Sequence, residues 1–515
     1  MSDDKNTKQM KITDSLCTAR WGYPLVDFSK GEVRTCCRTR GERVTSEQID
    51  RLGTDIFLNT DFQLERRKEM LEGKRHPACE TCWIIEEAGV QSPRFPNENI
   101  PYPWTKAEDG SRDFSNLNEN TVLRNIHTGE LITPATLTES SSILRSEHPY
   151  MLEINLSNTC DLKCSYCSPY FSSKWEKEFE LWALGAGIEK FDQNVETFIK
   201  NDIRKEVDER FMDTFWEWFN GKPILTLGRV GIIGGEPLIN PKMPEFLDKL
   251  IESYSKIPLE KRPHSGYSDK NGVYRRDHKP LIWFVTNLNT PTKVMDRFIN
   301  EHLPKLTEIF HVEIHASLES VGKRIEYTRD GLSWEKYKEN VERLCALKLE
   351  NFNFGFQIAL NCLSMTTLTE FLKYAKYLHD HYERPIILKH NLVSHPEFHH
   401  PAILPPQFAH YLEDALNFLD SVKDKMIHIE DPWGTWSAYH DYISTIYKSI
   451  KEEQGKTLPW KTGTLEDVHV LFFRFFNEYD RKRGTNFLKT FPEYASFFRN
   501  CRKLHAERIL AGAMA

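Results

Sequence analysis

From Tyr150 onward, short apolar runs alternate with longer stretches whose apolar residues recur at helical spacing. The runs are Met151–Leu156, Arg229–Ile233, Leu281–Val285, His311–Ser317, Phe354–Leu360 and Pro385–Leu388, and the helical patterns lie near 171–219, 242–255, 292–302, 334–349 and 367–380. Strand and helix in regular alternation predict a parallel sheet with right-handed crossovers. Six such strands are too few for a closed eight-fold barrel, so the expected fold class is α/β with a partial (β/α)6 TIM-like barrel. In that architecture ligands sit on the loops that follow the strands.

The flanking segments read differently. Tyr23 to Cys36 places β-formers on either side of a Ser29-Lys30-Gly31 turn and predicts a hairpin, and Leu64–Leu71 predicts a helix stopped at Gly73. Residues 95–149 are rich in Asn, Ser, Thr, Pro and charge, as in a linker or an irregular excursion. Past the last strand, the Pro-rich stretch His395–Pro406 reads as a solvated loop despite His395, His399 and His400, and 407–515 is helical in pattern and aromatic. The expected organisation is therefore a Cys-rich module at 1–94, a linker at 95–149, the partial barrel at 150–390 and a mostly helical C-terminal cap at 391–515.

Composition narrows the function classes. Charged residues make up 28% and hydrophobic ones 39% of the 515, and the net charge of −7 offers no overall field for nucleic acid. The polar start, Met1 to Lys8, lacks an apolar signal region, and no run approaches the roughly 18 apolar residues of a membrane span. The expectation is a cytoplasmic protein with no membrane partner.

Candidate chemistry comes from cysteine. Eight of the 11 cysteines fall in two neighbourhoods, which fits metal binding better than disulfides. Cys160, Cys164 and Cys167, spaced four and three apart after the first core strand, can hold three irons of a [4Fe–4S] cluster and leave the fourth open. Upstream, Cys17, the pair Cys36-Cys37, and Cys79 with Cys82 suit either a tetrahedral zinc or a second cluster. Neighbours on a strand point to opposite faces, so only one of Cys36 and Cys37 is expected to ligate. Cys345, Cys362 and Cys501 are expected to be buried free thiols. Other suggestive residues also fall at strand ends: Gly234-Gly235-Glu236-Pro237, Thr286-Asn287, and Ser317 with Glu319.

The Cys-x3-Cys-x2-Cys pattern with Tyr166 before its third cysteine, together with Gly234-Gly235-Glu236-Pro237, resembles the signature of the radical S-adenosylmethionine (SAM) enzymes. The resemblance covers about 150–390. It implies a [4Fe–4S] cluster on Cys160, Cys164 and Cys167 with SAM on its open iron. Gly234, Gly235 and Glu236 are then expected near the methionyl amino group, and Ser317 and Glu319 near the ribose and carboxylate. Arg329 and Asn361 are weaker matches, for which surface or capping roles compete. The implied activity is reductive SAM cleavage to a 5′-deoxyadenosyl radical, which abstracts hydrogen from a peptide or small-molecule substrate, with an electron from a donor such as flavodoxin or ferredoxin. The alternatives are a nucleotide-modifying radical SAM enzyme and a non-catalytic iron–sulfur or zinc protein that keeps the fold. Cys79 to Arg94, with the upstream hairpin and cysteine pair, resembles the auxiliary-cluster segment of twitch or SPASM relatives and implies a second [4Fe–4S] cluster rather than zinc. Such segments commonly follow the barrel, whereas these cysteines precede it.

Overall fold

Each of the six apolar runs forms a strand, as the alternation requires. The structure is a computed structural model and describes residues 15, 17, 19–36, 39, 41–79, 82–83, 104–108, 110, 121–125, 129–133, 144–176, 178, 206–265, 267–268, 274–275, 279–423, 436–453 and 463–512. Two compact units divide the chain: Met1–Ser157 with Lys205–Ile232 and Glu245–Ile282, and Asn158–Arg204 with Ile233–Pro244 and Trp283–Ala515.

In the first unit the hairpin forms between β1 (Leu25–Asp27) and β2 (Glu32–Arg34), turning at Gly31, whose φ of 61° suits glycine. A short β3 (Glu42–Arg43) pairs with β2. The hairpin does not stand apart from the core. β1 runs parallel to the fully buried β4 (Met151–Asn155), with Leu25 opposite Glu153 and Asp27 opposite Asn155. At that end Asp27 accepts hydrogen bonds from Lys30 Nζ at 2.6 Å and Asn155 Nδ2 at 2.8 Å, so a buried carboxylate has partners on both sides. β5 (Arg229–Ile233) lies beside β4.

Helix α1 (Asp61–Leu71) starts at a Thr60–Gln63 capping box. Its Arg67 is fully buried and donates to the carbonyls of Arg20, Leu58 and Leu144 and to Asn59 Oδ1, over the Trp21 ring. Helix α2 (Arg210–Phe219) presents Phe211, Phe215 and Trp218 to Phe28 and Phe57, with ring centroids 5.0–5.8 Å apart. Within the stretch expected to be irregular, Trp104–Lys106, Leu123–Asn125 and Leu131–Ile132 pair antiparallel.

The second unit contains β6 (Leu281–Thr286, from Trp283 on), β7 (His311–Ser317), β8 (Phe352–Leu360) and β9 (Ile386–Leu392). β7, β8 and β9 are parallel neighbours, and β9 is an edge, so among the described residues no closing pair completes a barrel. The intervening helices include α3 (Trp334–Cys345) and α4 (Leu368–Tyr382). Ile314, Phe356 and Leu388 on one face of the strands are fully buried, and Phe356 meets Phe371 of α4 at 5.3 Å. The C-terminal region is helical, as expected: α5 (Ala409–Val422), α6 (Trp436–Glu453), α7 (Leu465–Arg483) and α8 (Ala495–Leu510). Phe472 and Phe476 of α7 join Phe487, Phe497 and Phe498 in an aromatic cluster.

Replacing Arg67 by Met takes a donor from four acceptors at once, of which Asn59 Oδ1 keeps Ser146 N. We expect a loss of about 3 kcal/mol, read as a lower midpoint in denaturant titration followed by tryptophan fluorescence.

Candidate functional site

The loop after β4 is tied down along its length. Lys163–Cys164 forms an antiparallel bridge with Arg329–Asp330, and Ser165 N donates to Thr328 O at 2.7 Å. Cys167 N donates to Cys164 O at 2.9 Å, as does Trp175 Nε1. Ser172 Oγ holds Leu162 O at 2.7 Å. Outside the bridge, Lys163 meets Glu178 and Asp330, and Arg483 of α7 meets the same two acids. Cys164 is buried, while Cys160 and Cys167 are half-buried. Burial pushes the Cys160 thiol up to about 12, with Cys164 adding to the effect. It pushes Cys164 up to about 11, opposed by the Arg329 guanidinium. A bound cation would reverse that preference and take both as thiolates.

The glycine motif docks against this loop. A Cβ on Gly235 would stand 2.3 Å from Thr159 O, and Glu236 N donates to the same carbonyl at 2.7 Å. Gly234 has φ of 130°, so both positions require glycine for distinct reasons. Glu236 is buried and its carboxylate accepts from Asn287 N at 2.5 Å, Thr286 Oγ1 at 2.7 Å and Leu238 N at 3.1 Å. Burial raises its pKa to about 7 against the pull of these donors. Pro237 opens the short turn that Glu236 caps.

Beyond β7, Glu319 is fully buried and takes both nitrogens of Arg329 (Nη2 at 2.6 Å, Nε at 3.1 and 3.2 Å) and the Tyr166 hydroxyl at 2.8 Å. Arg329 Nη1 lies 4.0 Å from Cys164 Sγ, and its guanidinium sits 5.6 Å from the Tyr166 ring. The buried Glu319 and Arg329 and the half-buried Tyr166 thus form one unit with the second cysteine. Ser317 is half-buried at the end of β7. Asn361 is buried, and its Oδ1 accepts from Leu363 N and Ser364 N, which makes it a turn cap.

Several contributors escaped the sequence. Asp161 accepts from Asn287 Nδ2 at 2.9 Å and Asn289 Nδ2 at 2.7 Å, which ties the cysteine loop to the end of β6. The Asn-x-Asn spacing after an apolar run was the available signal. His399, expected in a solvated loop, is instead fully buried: its Nε2 pairs with Ser165 O at 3.1 Å and its ring stands edge-on to Tyr166.

In the other unit, Arg20 donates to Cys79 Sγ at 3.0 Å and to Thr35 Oγ1 at 2.7 Å. Cys17 is buried and pushed up to about 12 by that burial, with Arg20 opposing and Cys79 and Cys82 adding. Cys79 and Cys82 thus lie within electrostatic reach of Cys17. Cys36 is half-buried, and Cys37 and residues 84–100 lie outside the described residues. Among the described residues, no group of three or more His, Cys, Asp or Glu is arranged to hold a metal ion, and no helix is long and apolar enough to cross a membrane.

A family model described as the radical SAM superfamily matches residues 154–375, which take in the cysteine loop, the glycine motif and Glu319. These residues are a radical SAM domain. Searches of the curated proteins and of the solved structures gave no match.

Arg329→Met strips the buried Glu319 carboxylate of its cation and is expected to cost about 3–5 kcal/mol. Glu319→Gln leaves the Arg329 guanidinium, which cannot shed its proton, without a counter-charge and should cost at least as much. Denaturant titration of the metal-free protein checks the order.

Proposed function

We propose that the chain is a radical SAM enzyme acting on a peptide or small-molecule substrate, with the six core strands curved into the open (β/α)6 barrel of that family. The observation that carries this reading is the clamped loop of Cys160, Cys164 and Cys167 with Gly235 packed onto it, inside the matched domain. The donor set fits a [4Fe–4S] cluster: three thiols on one loop, with the neighbouring Ser165 and Ser168 hydroxyls buried and lacking an acceptor that a cluster sulfide can supply. When bound, the cluster and SAM supply one-electron chemistry that yields a 5′-deoxyadenosyl radical able to abstract hydrogen.

The protein's own residues hold and orient. Cys160, Cys164 and Cys167 ligate three irons. The Gly234-Gly235 backbone admits the methionyl end of SAM, and Glu236, anchored on Thr286 and Asn287, fixes that turn. Tyr166 and Ser317 approach the nucleoside and carboxylate, and Glu319, whose oxygens are taken by Arg329 and Tyr166, acts on that end of SAM through Tyr166. The buried Arg329 keeps a positive charge beside Cys164. An electron from a flavodoxin or ferredoxin starts the reaction. A cytoplasmic location, where thiols stay reduced, suits both cysteine groups.

Cys17, Cys79 and Cys82, with Cys36 or Cys37, are proposed to hold a second [4Fe–4S] cluster, for which the electrostatic reach of Cys79 and Cys82 to Cys17 and the Arg20 contact to Cys79 speak. Zinc is the competing occupant. A nucleotide-modifying enzyme and a non-catalytic metal protein are the other readings.

Anaerobically reconstituted protein is expected to hold about eight irons and to form 5′-deoxyadenosine from SAM with dithionite. The Cys160→Ala, Cys164→Ala, Cys167→Ala triple variant should keep about four irons and form none. Four irons plus zinc in the wild type would remove the second cluster alone, while absence of 5′-deoxyadenosine would remove the enzyme reading.

A further inference from the structure

We propose, resting on the radical SAM reading above, that the face of β7–β9 opposite the helices binds substrate through an uncharged amide, and that the substrate is a peptide. Side chains alternate along these strands, so Glu313, His315 and Ser317 of β7, Gln357 of β8 and Lys389 of β9 all lie on the face opposite buried Ile314, Phe356 and Leu388. Register makes a row of three of them: Ser317 is paired with Gln357, and Gln357 with Lys389. Neighbours in the row are spaced about 4.8 Å apart across the strands. The row sits two residues before Glu319, or about 7 Å of strand, and Glu319 is bonded to Tyr166 of the cysteine loop. A molecule held on the row is therefore close to where hydrogen is taken.

The charge on this face cancels. Lys389 Nζ lies 3.0 Å from Glu313 Oε2, and His315 Nε2 lies 2.9 Å from the same oxygen. Glu313 accepts from both, so the imidazole proton is on Nε2 and Nδ1 is left as an acceptor. Burial holds His315 neutral, and Lys389 with His315 holds Glu313 ionised. One cation and one anion remain. An ionic substrate group moved here would give up its hydration without a spare counter-charge. An uncharged group with both donors and acceptors meets no such cost.

The groups left open match that description. Among the described residues Gln357 makes no side-chain hydrogen bond and Lys389 uses its ammonium on Glu313 alone, while Ser317 marks the SAM end of the row. The Gln357 carboxamide both donates and accepts, as an amide ligand does in reverse, and Lys389 has further N–H donors for a carbonyl. Peptides and nucleobases both carry uncharged amides. With 68 Lys and Arg against 75 Asp and Glu there is no surplus of cations for a phosphate backbone, which favours the peptide.

Full-length, anaerobically reconstituted enzyme with SAM and dithionite is given perdeuterated tryptic peptides of mixed sequence or, separately, perdeuterated nucleosides. Abstraction breaks a substrate C–D bond homolytically and forms a C5′–D bond, so deuterium in 5′-deoxyadenosine, read by mass spectrometry, identifies the donor. Deuterium is expected from peptides and not from nucleosides. Gln357→Ala and Gln357→Glu should each lower the deuterated fraction about tenfold, and Lys389→Arg less. The fraction reports only on folded, active molecules. Deuterium from nucleosides alone, 5′-deoxyadenosine without deuterium in the peptide arm, or an unchanged fraction in both Gln357 variants would overturn the proposal. Failure to form any 5′-deoxyadenosine would instead overturn the radical SAM reading on which it rests.

Discussion

The buried ion pair between Glu319 and Arg329 is the constraint on which the cysteine loop depends. Arg329 pairs through its backbone with Cys164 and through its side chain with Glu319, so one residue ties the loop to the end of β7 twice. Glu319 spends its remaining capacity on the Tyr166 hydroxyl. A buried pair of this kind adds little net stability, because desolvation offsets most of the attraction. Its effect is on shape: each partner is costly to bury alone, so alternative arrangements of the loop are excluded.

A second constraint acts from the opposite side. Glu236 links the glycine turn to the end of β6, and Asn287, whose amide N–H it accepts, reaches back through its side chain to Asp161 in the cysteine loop. The ends of β5, β6 and β7 are therefore joined by polar groups rather than by helices: carboxylates, a guanidinium, amides and the Thr286 and Tyr166 hydroxyls. Such a network is rigid because any single loss leaves a buried group unpaired. Precise placement of three thiols within one loop needs that rigidity more than it needs hydrophobic burial.

Much of this was legible in the sequence because it rests on local patterns. The six strands followed from apolar alternation, and the cysteine loop and glycine turn from spacing at strand ends. Arg329 was visible only as a weak match, since nothing local says that its guanidinium turns inward to Glu319 ten residues earlier in the chain. His399 was misplaced for a related reason. A Pro- and His-rich stretch looks solvated by composition, whereas tertiary packing against Tyr166, Phe475 and Phe476 buries it. Asn361 shows the reverse case: a polar residue at a strand end, open to a ligand role by position, is occupied by its own turn.

The hairpin at the start of the described chain has a consequence for how the protein can be divided. Because β1 supplies hydrogen bonds along β4, the strand that leads into the cysteine loop, residues near Cys17 and Cys36 belong to the same folding unit as the core's first strand. Cutting the chain after Arg43 would expose an apolar strand edge, a ready template for self-association. The hairpin that leads to Cys36 is thus built into the sheet and cannot be treated as a detachable appendage.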